Sequence, residues 1–437
     1  MTSAAATADR YGPAMAEIQP LRALHYNLAR VPSLAAVIAP PYDVVDDAQR
    51  TALLARSPHN IVALDLPQPT ADEPDRYARA AALLGQWTAD GVLVRDDTPA
   101  LWALEQEFTG PDGAVRTRRG FFARVRVTDY GAGRIRPHER THPGPKADRL
   151  ALSQATQTNL SPIFSLFDDP DEQVSALLQL TFAGEPFGEA TDDEQTRNRL
   201  WRTVDTDLIA GIQAALADTE LLIADGHHRY ETARAYADEV GGDGDHRYIL
   251  MQLVAMQDPG LVVHPTHRLV SGLADDSARQ EALAATLREH FDLVPIEHAD
   301  LRPQPGGPPL QLGYIDSHFK RAFRCTLRSQ TIADAVLAGM PEAYQTLDTA
   351  VVEALILKGP IGLSEDDISH LNGLGYSRTD EEALALVLDG TYDCAFFLRP
   401  CPIEQVRAVA AAGVNMPPKS TFFYPKVPTG LLLNPLA

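Results

Sequence analysis

The sequence predicts a mixed α/β protein of two or three domains. The chain has 437 residues, of which 45% are hydrophobic and 22% charged, a composition typical of globular proteins that bury a large core. Segments with the period of a strand alternate with segments that have the period of an amphipathic helix. No internal repeat of roughly 20 to 50 residues is evident, which argues against a solenoid or a propeller.

The elements follow from local patterns. Apolar residues at helical spacing, with suitable residues at the ends, predict helices over residues 46–56, 77–90, 146–158, 205–217, 226–240, 276–291 and 346–357. Alternating or short apolar runs predict strands over residues 100–108, 119–127, 220–224, 248–256 and 393–398. The sequence Gly110-Pro111-Asp112-Gly113 supplies the residues of a hairpin turn between the first two strands. The proline-rich segments 136–145 and 416–426 are predicted to be loops.

Composition excludes several classes of protein. The apolar stretches are shorter than the roughly 20 residues that span a bilayer, and the start of the chain lacks the pattern of a secretory signal. The three cysteines form no CxxC pair, which fits a reducing compartment, so we expect a cytoplasmic protein without membrane partners. The net charge of −21 argues against nucleic acid as a partner.

One window of the chain is basic despite this total. Residues 116–149 contain ten basic and three acidic side chains. The alternation of residues 116–126 favours arginines on the solvated face of strands. Residues 134–149 include Glu139, Arg140, Lys146 and Arg149, and their first part, residues 136–145, combines cations with a loop composition. We therefore interpret residues 136–145 as a functional loop that precedes the predicted helix.

The densest chemical signal is the run Asp225-Gly226-His227-His228-Arg229 between a predicted strand and a predicted helix. A glycine at this turn lets backbone approach a ligand, and the amides and dipole of a helix start favour an anion such as phosphate. His227, His228 and Arg229 add donors, while Asp225 is a candidate Mg²⁺ ligand. The alternative is a purely structural role, in which the aspartate caps the helix and the histidines lie on the surface.

Other catalytic patterns are weak or missing. The His264-Pro265-Thr266-His267 run raises the question of a metal centre, but no HExxH pair places two histidines on one helical face. The sequence has no GxSxG, GxxxxGK[ST] or helix-opening GxGxxG motif. These absences disfavour a serine hydrolase, a P-loop and a Rossmann site.

Five segments in the same order resemble a bacterial family of unknown function, the domain-of-unknown-function family ten-fifteen. They are residues 39–44, 137–149, 159–164, 223–230 and 416–426, with Pro418 standing where glutamine is expected. The ADGHHR run also resembles the phosphate-contacting turn of the ParB/sulfiredoxin-like superfamily, which includes free-serine kinases. Histidine occupies the place of the reactive cysteine of sulfiredoxin, so we set sulfinic-acid repair aside.

These resemblances imply a domain organisation. We expect a disordered tail over residues 1–15 and a ParB/sulfiredoxin-like phosphate-binding core with insertions over residues 16–265. An additional α/β domain is expected over residues 266–437.

The turn's resemblance also implies a function. We expect a nucleotide-dependent small-molecule phosphotransferase that uses ATP or ADP with Mg²⁺ and acts on a hydroxylated metabolite such as free L-serine. Nucleotide phosphates would lie on Gly226 to Arg229, with Arg140, Lys146 and Arg149 offsetting charge on the transferred group. Asp43, Glu139 and Asp225 are candidate bases. The alternatives are a ParB-like nucleotide-binding regulator without turnover and a phosphatase that uses the same anion site.

Overall fold

The computed structural model describes residues 16–141 and 143–437, and they form a mixed α/β protein as predicted. The chain divides into two compact units. The first comprises the described residues up to Pro137, together with Thr141–Val262 and Pro425–Ala437. The second comprises His138–Arg140 and Val263–Tyr424. The predicted tail over residues 1–15 lies outside the described residues.

Helices occur in both units. The helices of the first unit are α1 (Leu34–Val37), α2 (Asp47–Arg56), α3 (Val62–Asp65), α4 (Arg76–Ala89), α5 (Pro143–Thr156), α6 (Gln173–Phe182), α7 (Thr206–Leu216) and α8 (His227–Val240). Those of the second are α9 (Ser277–His290), α10 (Gln330–Val336), α11 (Glu342–Gln345), α12 (Asp348–Val352), α13 (Glu365–His370), α14 (Asp380–Leu388) and α15 (Ile403–Ala411). A π-helical turn, Glu353–Leu357, continues α12.

The strands are mostly short. Those before the domain boundary are β1 (Ile18–Gln19), β2 (Leu24–Tyr26), β3 (Leu93–Arg95), β4 (Leu101–Thr109), β5 (Val115–Arg126), β6 (Ile135–Arg136), β7 (Thr158–Asn159), β8 (Ile163–Phe167), β9 (Gly188–Thr191), β10 (Arg197–Thr203), β11 (Leu221–Asp225) and β12 (Tyr248–Ala255). The others are β13 (Val262–His264), β14 (His267–Val270), β15 (Phe291–Ile296), β16 (Gln311–Asp316), β17 (Ala322–Leu327), β18 (Leu374–Ser377), β19 (Cys394–Phe397), β20 (Phe422–Tyr424) and β21 (Asn434–Pro435).

The first unit is built on a mixed sheet. Among the described residues it has nine strands in the order β6-β11-β8-β12-β5-β4-β10-β9, with β1 added beside β5. Strands β8 and β12 run parallel, as do β6 and β11, while the other neighbours are antiparallel. One face packs on α6 and α7 in a core that includes Phe121, Phe167 and Ile212. The sheet therefore fixes β11 and the turn that follows it.

The second unit has its own sheet and core. Its six described strands are ordered β15-β17-β16-β19-β14-β18, with β14 paired to both β18 and β19. The core packs Leu269, Ile315 and Phe397 against Ala383 and Val387 of α14. Residues 267–270 therefore form an interior strand, between β19 and the edge strand β18.

Several sequence predictions agree with these elements and others do not. The hairpin of β4 and β5 and the β11-turn-α8 unit form as predicted. The loop predicted over residues 416–426 is wrong in part, because Phe422–Tyr424 pairs with β13 as a strand. The C-terminal domain was expected to run to residue 437, whereas Pro425–Ala437 belongs to the first unit, where β21 pairs with β7.

The prediction that the arginines of residues 116–126 lie on the solvated face of strands is wrong for Arg118. Its side chain is fully buried and donates hydrogen bonds to Gln106 Oε1 and the Pro425 carbonyl. Its guanidinium also lies 4.5 Å from the centre of the Phe164 ring. A polar layer inside the sheet thus interrupts the expected alternation. Among the described helices, none is long and apolar enough to cross a membrane.

Candidate functional site

The Asp225–Arg229 turn joins β11 to α8. Gly226 has φ 102°, in the left-handed region that glycine adopts without strain. A Cβ atom at this position would lie 3.0 Å from Nε of Arg229, so the close approach also requires glycine. The helix begins at His227 without a side-chain cap on its first amides and extends for 14 residues. Its amides and dipole give the start of α8 a partial positive charge.

Asp225 is held between two cations. Its Oδ1 lies 2.6 Å from Nζ of Lys426, and its Oδ2 lies 2.6 Å from Nη2 of Arg229. Burial alone would raise the pKa of this carboxyl, but Lys426, Arg229 and His227 outweigh burial and hold the pKa well below its usual range. Asp225 is therefore ionised at neutral pH.

The start of α8 brings together two cations and two histidines. Two cations, Lys426 and Arg229, face the single carboxylate of Asp225. His227 is buried and His228 is half-buried in the first turn of the helix. Because a helix start favours negative ligands, these side chains make the turn suited to an anion such as phosphate.

Arg229 connects the turn to a second predicted motif, residues 159–164. Its Nη1 donates to Ser161 Oγ at 2.9 Å and to the carbonyl of Pro162. Ser161 Oγ in turn lies 3.0 Å from Thr429 Oγ1, in the C-terminal segment. Arg229 is buried, so its position is fixed by these contacts.

Arg149 connects the first motif, residues 39–44, to the same region. Its Nη1 donates to the Asp65 carbonyl at 2.7 Å and to Asp65 Oδ1 at 3.0 Å, and its Nη2 donates to Asp148 at 2.6 Å. The guanidinium lies 4.3 Å from the centre of the Tyr42 ring. Burial raises the pKa of Tyr42 to about 12, so the phenol stays neutral. Burial also raises the pKa of Asp65, against the opposing effects of Arg149 and Arg229.

Asp43 lies in the same electrostatic neighbourhood. It belongs to a single 3-10 turn, Tyr42–Val44, that follows Pro41. Its charge raises the pKa of Tyr42, Asp65 and Arg229, so Asp43 lies within electrostatic range of all three side chains. A cavity of about 40 Å³ adjoins the cluster, and its lining includes Tyr42, Asp65, Arg149, Ser161 and Arg229.

The predicted site residues are divided between the two units. The first unit contains Asp43, Arg149 and the whole turn from Asp225 to Arg229. Lys146 lies in α5 of the same unit, where its ammonium is 3.7 Å from Glu231 Oε2. Glu139 and Arg140 belong to the second unit.

The role of Arg140, Lys146 and Arg149 in offsetting charge on a transferred group stays a prediction. Arg149 is already paired with Asp65 and Asp148, and Lys146 with Glu231, because each lies on a helix flanked by acidic side chains. Lys426, which carries the charge at the turn, was not chosen as a site residue. Its signal in the sequence was that the chain has only five lysines.

Asp225 is not disposed as a Mg²⁺ ligand. Both of its oxygens face cations rather than an open position. Among the residues that the structure describes, no group of three His, Cys, Asp or Glu side chains is arranged to hold a metal ion. The assignment of Mg²⁺ to Asp225 therefore does not fit these contacts.

Comparison with known proteins adds a family and several distant likenesses. A family model described as "Protein of unknown function (DUF1015)" matches residues 18–350. No curated protein sequence matches the chain. A solved structure of a free serine kinase in complex with AMP has a TM-score of 0.34 and 13% identity, covering 68% of this chain and 88% of that one.

Two further solved structures are similar to a comparable degree. A free serine kinase variant in complex with ADP has a TM-score of 0.35 and 13% identity, covering 68% of this chain and 89% of that one. The protein SbnI from Staphylococcus aureus, with a C-terminal truncation, has a TM-score of 0.34 and 11% identity, covering 72% and 81%.

Proposed function

Since the chain belongs to the DUF1015 family of proteins of unknown function, we propose its function from the geometry of the Asp225–Arg229 turn. The proposed activity is that of a nucleotide-dependent phosphotransferase acting on a small hydroxylated metabolite. Free L-serine is the acceptor to test first, because the ADGHHR sequence resembles the turn of free-serine kinases. ATP and ADP are the candidate donors.

One observation carries this proposal. At the start of α8, Lys426 and Arg229 both contact the carboxylate of Asp225, beside the first amides of a 14-residue helix. Catalysis of phosphoryl transfer depends mainly on positioning and on stabilising negative charge, and both are properties of such a turn. His228, half-buried in the first helical turn, offers a further donor to a bound phosphate.

Asp43 is the proposed base. It lies in the electrostatic surroundings of Arg229 but is held in a separate turn, so it can face the acceptor rather than the donor. In the reaction, the bond between the terminal phosphorus of the nucleotide and its bridging oxygen breaks as the acceptor oxygen bonds to that phosphorus. Asp43 takes the proton of the acceptor hydroxyl, and the shortened nucleotide leaves with the former bridging oxygen.

The proposal is tested by measuring nucleotide turnover with a panel of hydroxy amino acids. Purified full-length protein should convert ATP or ADP to the shorter nucleotide and a phosphorylated acceptor, detected by ³¹P NMR. Asp43→Asn should lower kcat by about a hundredfold or more, as expected for a lost general base. The matched control is Asp193→Asn, an exposed carboxylate paired with Arg56 in the same unit.

The outcomes separate the competing functions. Phosphorylated acceptor that depends on Asp43 supports the kinase. Release of inorganic phosphate without any acceptor would favour a phosphatase instead. Nucleotide binding without turnover under all these conditions would contradict an enzyme and favour a regulatory binding protein.

A further inference from the structure

Lys419 differs from the other four lysines of the chain. The ammonium groups of Lys146, Lys358 and Lys426 form ion pairs with carboxylates, and that of Lys320 donates to the Leu388 carbonyl. Within the described parts of the chain, the ammonium of Lys419 has no hydrogen-bond or ion-pair partner, and its side chain is exposed. An isolated, solvent-facing ammonium is thus found at one of five lysines.

The loop that carries Lys419 is fixed on both sides. The Met416 amide donates to the His138 carbonyl at 2.8 Å, and His138 Nε2 lies 2.9 Å from Thr421 Oγ1. Ser420 Oγ donates to the Pro417 carbonyl at 2.7 Å and lies 2.8 Å from Thr349 Oγ1. These bonds belong to one compact unit, so the loop is preorganised rather than shaped by a ligand.

A buried arginine holds the backbone of Lys419 itself. Arg268 donates to the carbonyls of Lys419 at 3.1 Å and Pro418 at 3.3 Å, and its guanidinium lies 4.8 Å from the centre of the Tyr376 ring. Arg268 is 2% exposed, and no carboxylate among the described residues forms an ion pair with it. Burying a cation without a carboxylate partner costs free energy. This cost indicates that the role of Arg268 is to hold the loop in its conformation.

The conformation that Arg268 secures is an uncommon one. Lys419 has φ 54°, in the left-handed region that side-chain-bearing residues rarely adopt. Strained backbone of this kind persists only where its surroundings enforce it, and it is concentrated at binding and catalytic sites. The amide of Lys419 also makes a long hydrogen bond of 3.5 Å to Glu139 Oε1, so that carboxylate faces the backbone. Arg140, which follows Glu139 in the sequence, is exposed.

We propose that the second unit has an anion-binding site of its own, centred on the Lys419 ammonium and assisted by Arg140. The ligand class is a phosphate group, for which lysine acts as a point charge. The group belongs either to inorganic phosphate or to a nucleotide. Arg268 is a positioning residue, because it acts through the backbone of Lys419 and not on the ligand. This site is formed by other residues than the Asp225–Arg229 turn and goes beyond the proposed transfer reaction.

The test is protection of lysines from acetylation. Full-length protein is treated briefly with an acetylating ester in inorganic phosphate, in AMP, or in potassium chloride of equal ionic strength, and peptide mass spectrometry gives the extent at each lysine. At a ligand concentration of twice its Kd, labelling of Lys419 should fall by about threefold. Lys320 is the matched internal control, since it is exposed, lies in the same unit and also has a positive φ of 55°.

Each outcome decides for or against the site. Protection of Lys419 at lower concentrations of phosphate than of AMP supports inorganic phosphate, and the reverse order supports a nucleotide. Equal labelling of Lys419 in all three solutions, or equal protection of Lys320, would overturn the proposal.

Two variants test the separation of the sites and the role of Arg268. Protection should persist in His228→Ala, and its loss there would show that Lys419 responds to the turn of the first unit. Arg268→Met should abolish protection of Lys419 while leaving turnover at the first site unchanged. Full protection in folded Arg268→Met would remove the positioning role.

Discussion

The ion pairs of Arg149 and Arg76 differ in how far they are buried. Burial decides how much each pair contributes to the stability of the fold. Arg149 and Asp65 are 6% and 5% exposed, whereas Arg76, which also pairs with Asp148, is 46% exposed. Removing one partner of a buried pair leaves an uncompensated charge in a medium that solvates it poorly. An exposed pair loses little, because water replaces the partner.

Arg149→Met should therefore destabilise the protein by about 3–5 kcal/mol, the cost of breaking a buried pair. Arg76→Met should cost about 1 kcal/mol or less. Urea unfolding of both variants measures the two free energies. Equal losses in the two variants would contradict the burial of the Asp65–Arg149 pair.

His264 gives the second unit a defined pH dependence. Burial, together with Arg302 and Arg378, lowers the pKa of His264 to about 4. The unfolded chain binds this proton near the ordinary pKa of about 6.5, so the unfolded state takes up more protons between those values. The contribution of neutral His264 to the free energy of unfolding is fully present above about pH 6.5, and it is lost as the pH falls towards 4.

His264→Gln should weaken the loss of stability between pH 7 and pH 5, because the titrating group is gone. The free energy of unfolding at both pH values, measured by urea titration, gives the difference. His318→Gln, at an exposed histidine of the same unit, is the control and should keep the pH dependence of the unaltered protein. An unchanged difference in His264→Gln would argue against the lowered pKa.

For single residues, the sequence indicated which residue types form the site better than it indicated which residues contact one another. The ADGHHR run pointed to Asp225 and Arg229 because glycine, histidine and arginine at a strand-to-helix turn suit an anion. Lys426 lies 201 positions from Asp225, and nothing in local spacing relates the two. Asp65 was missed because a buried aspartate in a short apolar helix has no signal of its own.

The elements that position the site depend on glycine at one point. In the β11-turn-α8 unit, Gly226 has a positive φ and approaches Arg229 closely. In contrast, Gly85 lies inside α4 with open space around it. Local patterns predicted both helices, since periodicity and end signals are properties of the segment itself. The burial of Arg118 was not predictable, because it depends on residues brought in from the C-terminal segment.

Gly226→Ala should destabilise the protein by about 1–3 kcal/mol through backbone strain, and should displace the Arg229 guanidinium. Gly85→Ala should stabilise it by about 0.5–1 kcal/mol, because alanine favours the helix interior. Thermal unfolding measures both effects, and the midpoint temperature should fall in Gly226→Ala and rise in Gly85→Ala. Stabilisation by Gly226→Ala would contradict the left-handed turn.

At the level of the whole molecule, the C-terminal segment holds the first unit together. Residues Pro425–Ala437 pair with Ala39 through Thr429, with Leu24 through Leu433 and with β7 through β21. Residues 427–434 are buried throughout, and Lys426 pairs with Asp225. Segments far apart in sequence thus meet on one short stretch of chain. A single sequence gives no indication of such pairing, which is why the predicted domain boundary placed this stretch elsewhere.

Deletion of residues 425–437 should destabilise the first unit selectively. The deletion exposes the apolar surface that Leu431, Leu432 and Leu433 cover, and it removes one cation from Asp225. Hydrogen exchange followed by mass spectrometry should show faster exchange in β7, β8 and β11, with β16, β17 and β19 unchanged. Uniform acceleration in both units would contradict the division of the chain.

The most direct measurement is calorimetric titration of the full-length protein and of Lys426→Met with ADP. If phosphate binds at the turn with the help of the Lys426 ammonium, the unaltered protein binds ADP and Lys426→Met binds it at least about tenfold more weakly, a loss of about 1.4 kcal/mol. Lys358→Met, which removes a paired lysine from the second unit, should bind like the unaltered protein. Equal affinity in Lys426→Met and the unaltered protein, or no binding by either, would contradict a phosphate site at Asp225–Arg229.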